Sequence, residues 1–217
     1  TLFPYTTLFR SIPLPLVRAC VASAVPRIQV AALALAVDAK TPAAPLSAAE
    51  CAVVREFFAQ SLMLPSAVAR KDSIALLVKL LVRLRVSAHA ARRREHGTAL
   101  LDAYQELGGA LVRLVVHAMH PGAPYACTSL ALAMLLLAFE AEAPGAPVDD
   151  STLADAIRAL AKARRTYPGD FALDAVRPTA ALVRHLCHLA AHSTYADVQD
   201  MAALLLVRMR ARAPLPG

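Results

Sequence analysis

The chain has 217 residues, a formal net charge of +7, 58% hydrophobic residues and a mean hydropathy of +0.50. Its longest uninterrupted apolar run covers only residues 130–139, whereas about 20 residues are needed to cross a bilayer, so the sequence predicts no transmembrane helix. The four cysteines are scattered without a C-x-x-C pair. This spacing disfavours a zinc cage or a dense disulfide framework and favours free thiols in a reducing, cytoplasmic setting.

The first eleven residues differ in composition from the rest of the chain. They read TLFPYTTLFRS and contain no alanine, whereas alanine recurs every few residues from Ala19 onward. The stretch lacks the apolar run of a secretory signal and resembles the translation of a sequencing-library adapter. We therefore expect residues 1–11 to be an artefact outside the fold, and the remainder to be a fragment of a longer protein.

Helix signals recur along the remainder of the chain. Pro13, Pro15 and Pro26 interrupt the start of residues 12–46, which are predicted as an uncertain helical or linker segment, with a candidate helix over 27–40. Ser47-Ala-Ala-Glu50 is a capping box that predicts a helix to about Met63. The later helices are predicted over about 67–87, 98–119, 125–141, 152–165 and 178–192, with a last one from the Ser193-Thr194 cap to about 211.

These helices form a series of pairs joined by short Pro/Gly turns. Apolar helices alternate with more polar ones, and the helix over 67–87 is apolar almost all round, as is typical of a helix buried between layers. The pattern predicts an all-α fold, an α-solenoid of HEAT or armadillo type, with residues 47–217 as a partial solenoid domain. A closed helical bundle is the alternative, which periodicity does not separate from a solenoid.

Three ordered segments together resemble the THADA (thyroid-adenoma-associated protein) family of large α-solenoids. They are Arg70 with LLVKLLVRLRVS (76–87), HPGAPYACTSLALAML (120–135) and STYADVQDMAALLL (193–206). In the second and third segments Pro121, Gly122, Tyr125 and Asp197 fit the family pattern. Tyr125 is expected to anchor its turn against a neighbouring element. Asp197 is expected to cap the last helix, whose positive dipole end favours an acid.

The resemblance implies a function without chemistry of its own. Such family members act as non-catalytic partners of a tRNA ribose 2′-O-methyltransferase that modifies the anticodon loop, and the partner enzyme holds the S-adenosylmethionine. We therefore expect a cytoplasmic scaffold subunit with that catalytic subunit, and with tRNA, as its partners. The alternative is a protein-binding solenoid without an RNA role, linked to calcium handling at the endoplasmic reticulum.

The sequence offers no catalytic, cofactor or metal site. Nucleophile elbow, P-loop, dinucleotide glycine and H-E-x-x-H motifs are all missing, so we predict no enzyme and no bound cofactor. His185, His188 and His192 share one helical face, but a single helix seldom closes a tetrahedral metal site. We assign these histidines to polar or capping roles.

The arginines are the remaining candidates for a binding site. The chain has 19 arginines and only four lysines, a bias that a GC-rich coding sequence explains as well as a nucleic-acid partner does. Phosphate contacts are predicted, without base recognition, for three basic groups: Arg83 with Arg85, Arg92 with Arg93 and Arg94, and the stripe of Arg158, Lys162 and Arg165. Solvated helix faces are the alternative interpretation.

Overall fold

The computed structural model describes residues 12–38, 44–61, 67–92, 98–120, 122–138, 151–167 and 179–212. Within these ranges all regular structure is α-helical, which confirms the all-α prediction. Residues 1–11, the suspected adapter segment, lie outside the described part. The helices are α1 (Leu14–Val21), α2 (Pro26–Val37), α3 (Ala48–Ser61), α4 (Ala67–Arg92), α5 (Thr98–Ala118), α6 (Tyr125–Ala138), α7 (Ser151–Thr166), α8 (Ala180–His192) and α9 (Ala196–Arg212).

Local sequence signals explain where several helices begin. The predicted capping box precedes α3: the Ser47 amide donates to Glu50 Oε2 at 2.6 Å and the Glu50 amide donates to Ser47 Oγ at 3.2 Å. Helix α8 begins after Thr179, whose Oγ1 accepts from the Leu182 amide. Between α5 and α6, Gly122 has a φ of +85°, a left-handed conformation in which a side chain would be strained.

The helices stack in two rows, as in a solenoid. Row A consists of α1, α3 and α5, each in contact with the next, and row B consists of α2, α4, α6 and α9, again each in contact with the next. Four contacts join row A to row B: α1 with α2, α3 with α2, α5 with α4, and α5 with α6. Helix α8 packs on α9. The two-row array is the α-solenoid that the alternating pattern predicted.

The segment 12–46 belongs to this array. It forms α1 and α2, and these helices pack on α3 and α4 through Val17, Val21, Leu33 and Val37, which share one core with the rest of the described chain. Helix α1 begins next to Pro13 and α2 begins at Pro26, positions where proline's missing N–H costs nothing. The prolines that obscured this segment in the sequence therefore mark its helix starts.

Helix α6 is the centre of the core. Its residues 127–137 are all buried, because α6 contacts α4, α5, α7 and α9. Over these residues the helix has no solvent face, which explains why its sequence shows no amphipathic stripe.

Helix α7 stands outside the two rows. It packs against both α4 and α6 of row B and so adds a third layer over the seam between them. Its buried residues are Leu153, Ala156, Leu160 and Ala163, spaced by three or four along the helix. A helix outside the two rows does not follow from the stacking of helix pairs. Helix α7 is also the element that positions the candidate site.

Candidate nucleic-acid interface

The outer face of α7 carries the exposed basic stripe. Arg158, Lys162 and Arg165 follow each other at intervals of four and three residues and are all exposed. At 3.6 residues per turn, this stripe lies on the side of the helix opposite the buried Leu160. The contacts of its buried side with α4 and α6 hold α7 in place, and the cations of the stripe face solvent.

One acidic residue accompanies this stripe. Asp155 accepts a hydrogen bond from Arg158 one turn along the helix, and the two side chains are 70% and 75% exposed. An ion pair as exposed as this contributes little free energy and exchanges readily with solvent ions. Over its whole length α7 has four basic residues and one acidic residue, so its field is positive.

A second helix meets α7 at its carboxyl-terminal end. The ring of His89, in the last turns of α4, lies edge-on to the ring of Tyr167, which directly follows α7, with centroids 5.7 Å apart. The carboxyl-terminal ends of α4 and α7 therefore meet. Arg92, the exposed last residue of α4, follows His89 by three residues. Arg93 and Arg94 lie outside the described residues.

The structure places the first predicted arginine group in the core. Arg85 and Arg83 are only 3% and 6% exposed. Arg83 donates to the carbonyls of Ala36 and Val37, at the end of α2, at 3.0 and 2.9 Å, and to those of Ala44 and Pro45 at 3.0 and 3.2 Å. Because its guanidinium donates to these backbone carbonyls, Arg83 stabilises the connection between α2 and α3. The phosphate contact predicted for these two side chains conflicts with their burial.

Two further side chains complete this internal network. The Tyr104 hydroxyl of α5 accepts from the Leu46 amide at 3.0 Å and lies 2.9 Å from Ser87 Oγ, which donates to the Arg83 carbonyl at 2.8 Å. Burial raises the pKa of Tyr104, in spite of its hydrogen bonds. This network was not predicted from the sequence, although an arginine within an otherwise apolar helix face was the available signal.

The predicted turn residues meet at another surface. The Tyr125 hydroxyl, at the start of α6, donates to Asp197 Oδ2 in the first turn of α9 at 2.5 Å, and the Tyr125 and Tyr195 rings lie 4.4 Å apart. Tyr125 thus ties α6 to α9. Helix α9 begins at Ala196, which places Asp197 inside the first turn, near the positive end of the helix dipole. Pro121 lies outside the described residues.

A small apolar cavity lies inside the described helices. A cavity of about 20 Å³ between α4, α5 and α6 is lined by apolar residues such as Leu81, Leu111 and Met134 and has space for about one water molecule. In the described ranges, no three His, Cys, Asp or Glu side chains converge as metal ligands. None of the described helices combines the length and apolar character needed to cross a membrane.

Comparison with known proteins places this helical array in a family. The model of the family described as "Trm732, TPR repeats" matches residues 7–199. The chain belongs to this family. No curated protein and no solved structure gives a significant match.

The Trm732 match is consistent with the two-row helical fold and defines the chain as a helical-repeat protein related to tRNA modification. The family model describes TPR repeats, another α-solenoid class built from helix pairs, so the HEAT or armadillo subtype stays a prediction. Membership of the THADA family proper likewise stays a prediction. The match covers all of residues 12–46, consistent with the packing of α1 and α2 into the common core.

Proposed function

We propose that this chain is a non-catalytic scaffold subunit of a tRNA ribose 2′-O-methyltransferase that acts on the anticodon loop. The observation that carries the proposal is the Trm732 family match across residues 7–199. In this proposal the partner enzyme supplies the S-adenosylmethionine site and the methyl transfer. The repeat array supplies surfaces that hold the enzyme and its RNA together, in the cytoplasm.

The architecture supports a binding role. A stack of helix pairs exposes long continuous surfaces, and such solenoids commonly use them to bind large partners. The cavity between α4, α5 and α6 is too small and too apolar to position a nucleotide or methyl donor. The outer surfaces of the rows and of α7 are therefore the places where partners would bind.

Reconstitution with the methyltransferase of the source organism tests the proposal. The chain and the enzyme are co-expressed, purified through a tag on this chain, and assayed for 2′-O-methylation of tRNA by mass spectrometry of nuclease digests. We expect a stable complex, with anticodon-loop methylation at least about tenfold faster than with the enzyme alone, because positioning alone contributes several kcal/mol in favourable cases. Each protein assayed separately is the control.

An enzyme that is equally active without this chain, together with failure to co-purify, would contradict the scaffold role. Methyl transfer by this chain alone would contradict its non-catalytic assignment.

A second candidate is a protein-binding solenoid without an RNA role. It is favoured by the burial of Arg83 and Arg85, which leaves a smaller cationic surface than the sequence predicted. The same reconstitution distinguishes the two functions, because an adaptor would co-purify with other proteins and leave tRNA methylation unchanged.

A further inference from the structure

From the position and charge of α7 we infer that its outer face, formed by Arg158, Lys162 and Arg165, binds the phosphate backbone of RNA. The inference rests on the proposed function and names the surface through which the scaffold would hold its nucleic acid. It assigns the contact to the third layer of the molecule and to neither of the two rows.

The stripe is exposed because α7 buries its other side. Leu153 and Leu160 are each only 1% exposed against row B, so the helix is anchored without help from its basic residues. Arg158, Lys162 and Arg165 are not engaged in the core, in contrast to Arg83. Their charge is therefore available to a partner while the helix itself stays fixed.

The spacing of the cations suits a chain of phosphates. At a rise of 1.5 Å per residue, Arg158 and Arg165 are about 10 Å apart along the helix axis, with Lys162 between them. Such a row presents several positive charges at once, and each phosphate it neutralises releases condensed counterions. The end of α4 meets the end of α7 at the His89–Tyr167 contact, and Arg92 is the exposed last residue of α4.

The helix dipole explains only part of this charge. Cations are stabilising in the last turn of a helix, which accounts for Arg165 and its neighbour Arg164, but the effect falls off beyond that turn. Arg158 lies about two turns before the end of α7. Its exposed ion pair with Asp155 contributes little free energy, whereas an anionic partner accounts for the whole stripe.

Backbone contact is favoured over base recognition. Helix α7 has no aromatic residue, and Tyr167 beside it is half-buried with its ring packed against His89. Binding single-stranded bases generally requires exposed aromatic faces on which they stack. The contact should therefore depend strongly on salt and weakly on RNA sequence.

Charge neutralisation with a matched control tests the inference. The triple variant Arg158→Gln, Lys162→Gln, Arg165→Gln keeps good helix formers on α7. The control, Arg27→Gln, Arg113→Gln, Arg184→Gln, removes the same charge from exposed positions on α2, α5 and α8. Affinity for transcribed tRNA is measured by fluorescence anisotropy across a KCl series, and circular dichroism verifies that both variants fold.

We expect the α7 variant to bind tRNA at least about tenfold more weakly than the wild type and to lower the slope of log affinity against log salt by about three, one for each lost contact. The control should bind within about twofold of the wild type. An unrelated RNA of equal length should behave like tRNA. Equal loss in both triple variants, or in neither, would overturn the inference.

Two outcomes separate this inference from the proposed function. If the α7 variant still binds tRNA normally while the methyltransferase co-purifies and is stimulated, the surface is wrong and the scaffold role stands. If the wild type binds vesicles of phosphatidylcholine with phosphatidylserine through this stripe but does not bind tRNA, the RNA assignment is overturned in favour of a membrane surface. A wild-type chain that binds neither the methyltransferase nor tRNA would contradict the proposed function itself.

Discussion

Arg83 and Arg158 belong to helices in direct contact, yet the two arginines have opposite surroundings. Arg83 on α4 is buried and donates to four backbone carbonyls, whereas Arg158 on α7 is exposed and forms an ion pair with Asp155. A buried guanidinium avoids a large desolvation cost only if its donors are satisfied, and an exposed one keeps its field available to solvent and partners. In this molecule Arg83 therefore serves as a buried hydrogen-bond donor that stabilises the fold, and Arg158 serves as an exposed cation.

The comparison shows that charge count alone does not define a binding surface. The sequence gives the three predicted basic groups similar weight, but the packing of α2 and the α2–α3 connection around Arg83 removes that group from the surface. The third-layer position of α7 leaves its own stripe outside. The environment of each arginine, set by contacts distant in sequence, decides its role.

The largest expected effect on stability is at the buried Arg83. Arg83→Met should lower the free energy of unfolding by about 3–5 kcal/mol, because it leaves buried carbonyls at the end of α2 without donors. Urea denaturation followed by circular dichroism measures the change. Lys79→Met on the exposed side of the same helix, which breaks only an ion pair with Asp38, is the control and should cost less than about 1 kcal/mol. Equal losses of unfolding free energy in the two variants would contradict the different roles assigned to the buried Arg83 and the exposed Lys79.

The docking of α7 is the next expected effect. Leu160→Ala should cost about 2–3 kcal/mol through the cavity it leaves against row B. Because α7 is an added layer, its amides should lose protection from hydrogen exchange while those of α3 and α5 keep theirs. A uniform loss of protection across the molecule would contradict a separate third layer.

Tyr104 tests the remainder of the internal network. Tyr104→Phe should cost about 1–2 kcal/mol, because the buried Leu46 amide loses its acceptor. Burial raises the pKa of Tyr104, so the folded state keeps this proton at pH values where the unfolded tyrosine, with a pKa of about 10, has lost it. Stability should therefore fall as the pH rises above about 10.

The phenylalanine variant should show less of this alkaline loss than the wild type, as measured by urea midpoints between pH 8 and 11. Parallel curves for the two proteins would indicate that Tyr104 ionises equally in the folded and unfolded states.

The smallest expected effect is at the exposed tyrosine contact. Tyr125→Phe removes the hydrogen bond to Asp197 but keeps the ring against Tyr195, so it should cost less than about 1 kcal/mol. Differential scanning calorimetry of this variant beside Tyr104→Phe compares the same chemical change at an exposed and at a buried position. A larger effect at Tyr125 would reverse the order that burial predicts.

Local signals allowed most of the helices to be predicted from the sequence. The capping box at Ser47 and the apolar helix predicted over about 125–141 correspond closely to α3 and α6 within the described residues, because caps and hydrophobic runs act over a few residues. The resemblance to an α-solenoid family also pointed to the tRNA-modification relationship that the Trm732 match supports.

Features that depend on contacts between residues far apart in the sequence were harder to predict from the sequence. Nothing near Arg83 in the sequence identifies the carbonyls at the end of α2, some 46 residues earlier, as its acceptors. The third-layer position of α7 likewise follows from its contacts with both α4 and α6. The α7 stripe itself was visible as a spacing pattern, but its exposure depended on this packing.

The most direct test measures stability and tRNA affinity together in two variants. Arg83→Lys keeps the charge but not the reach to all four carbonyls, and the α7 triple variant removes only surface charge. The account predicts that Arg83→Lys lowers the urea midpoint and leaves tRNA affinity at 10 °C within about twofold of the wild type, while the α7 variant keeps the midpoint and loses at least about tenfold in affinity. Affinity that falls with Arg83→Lys in a folded protein, or that survives in the α7 variant, would contradict it.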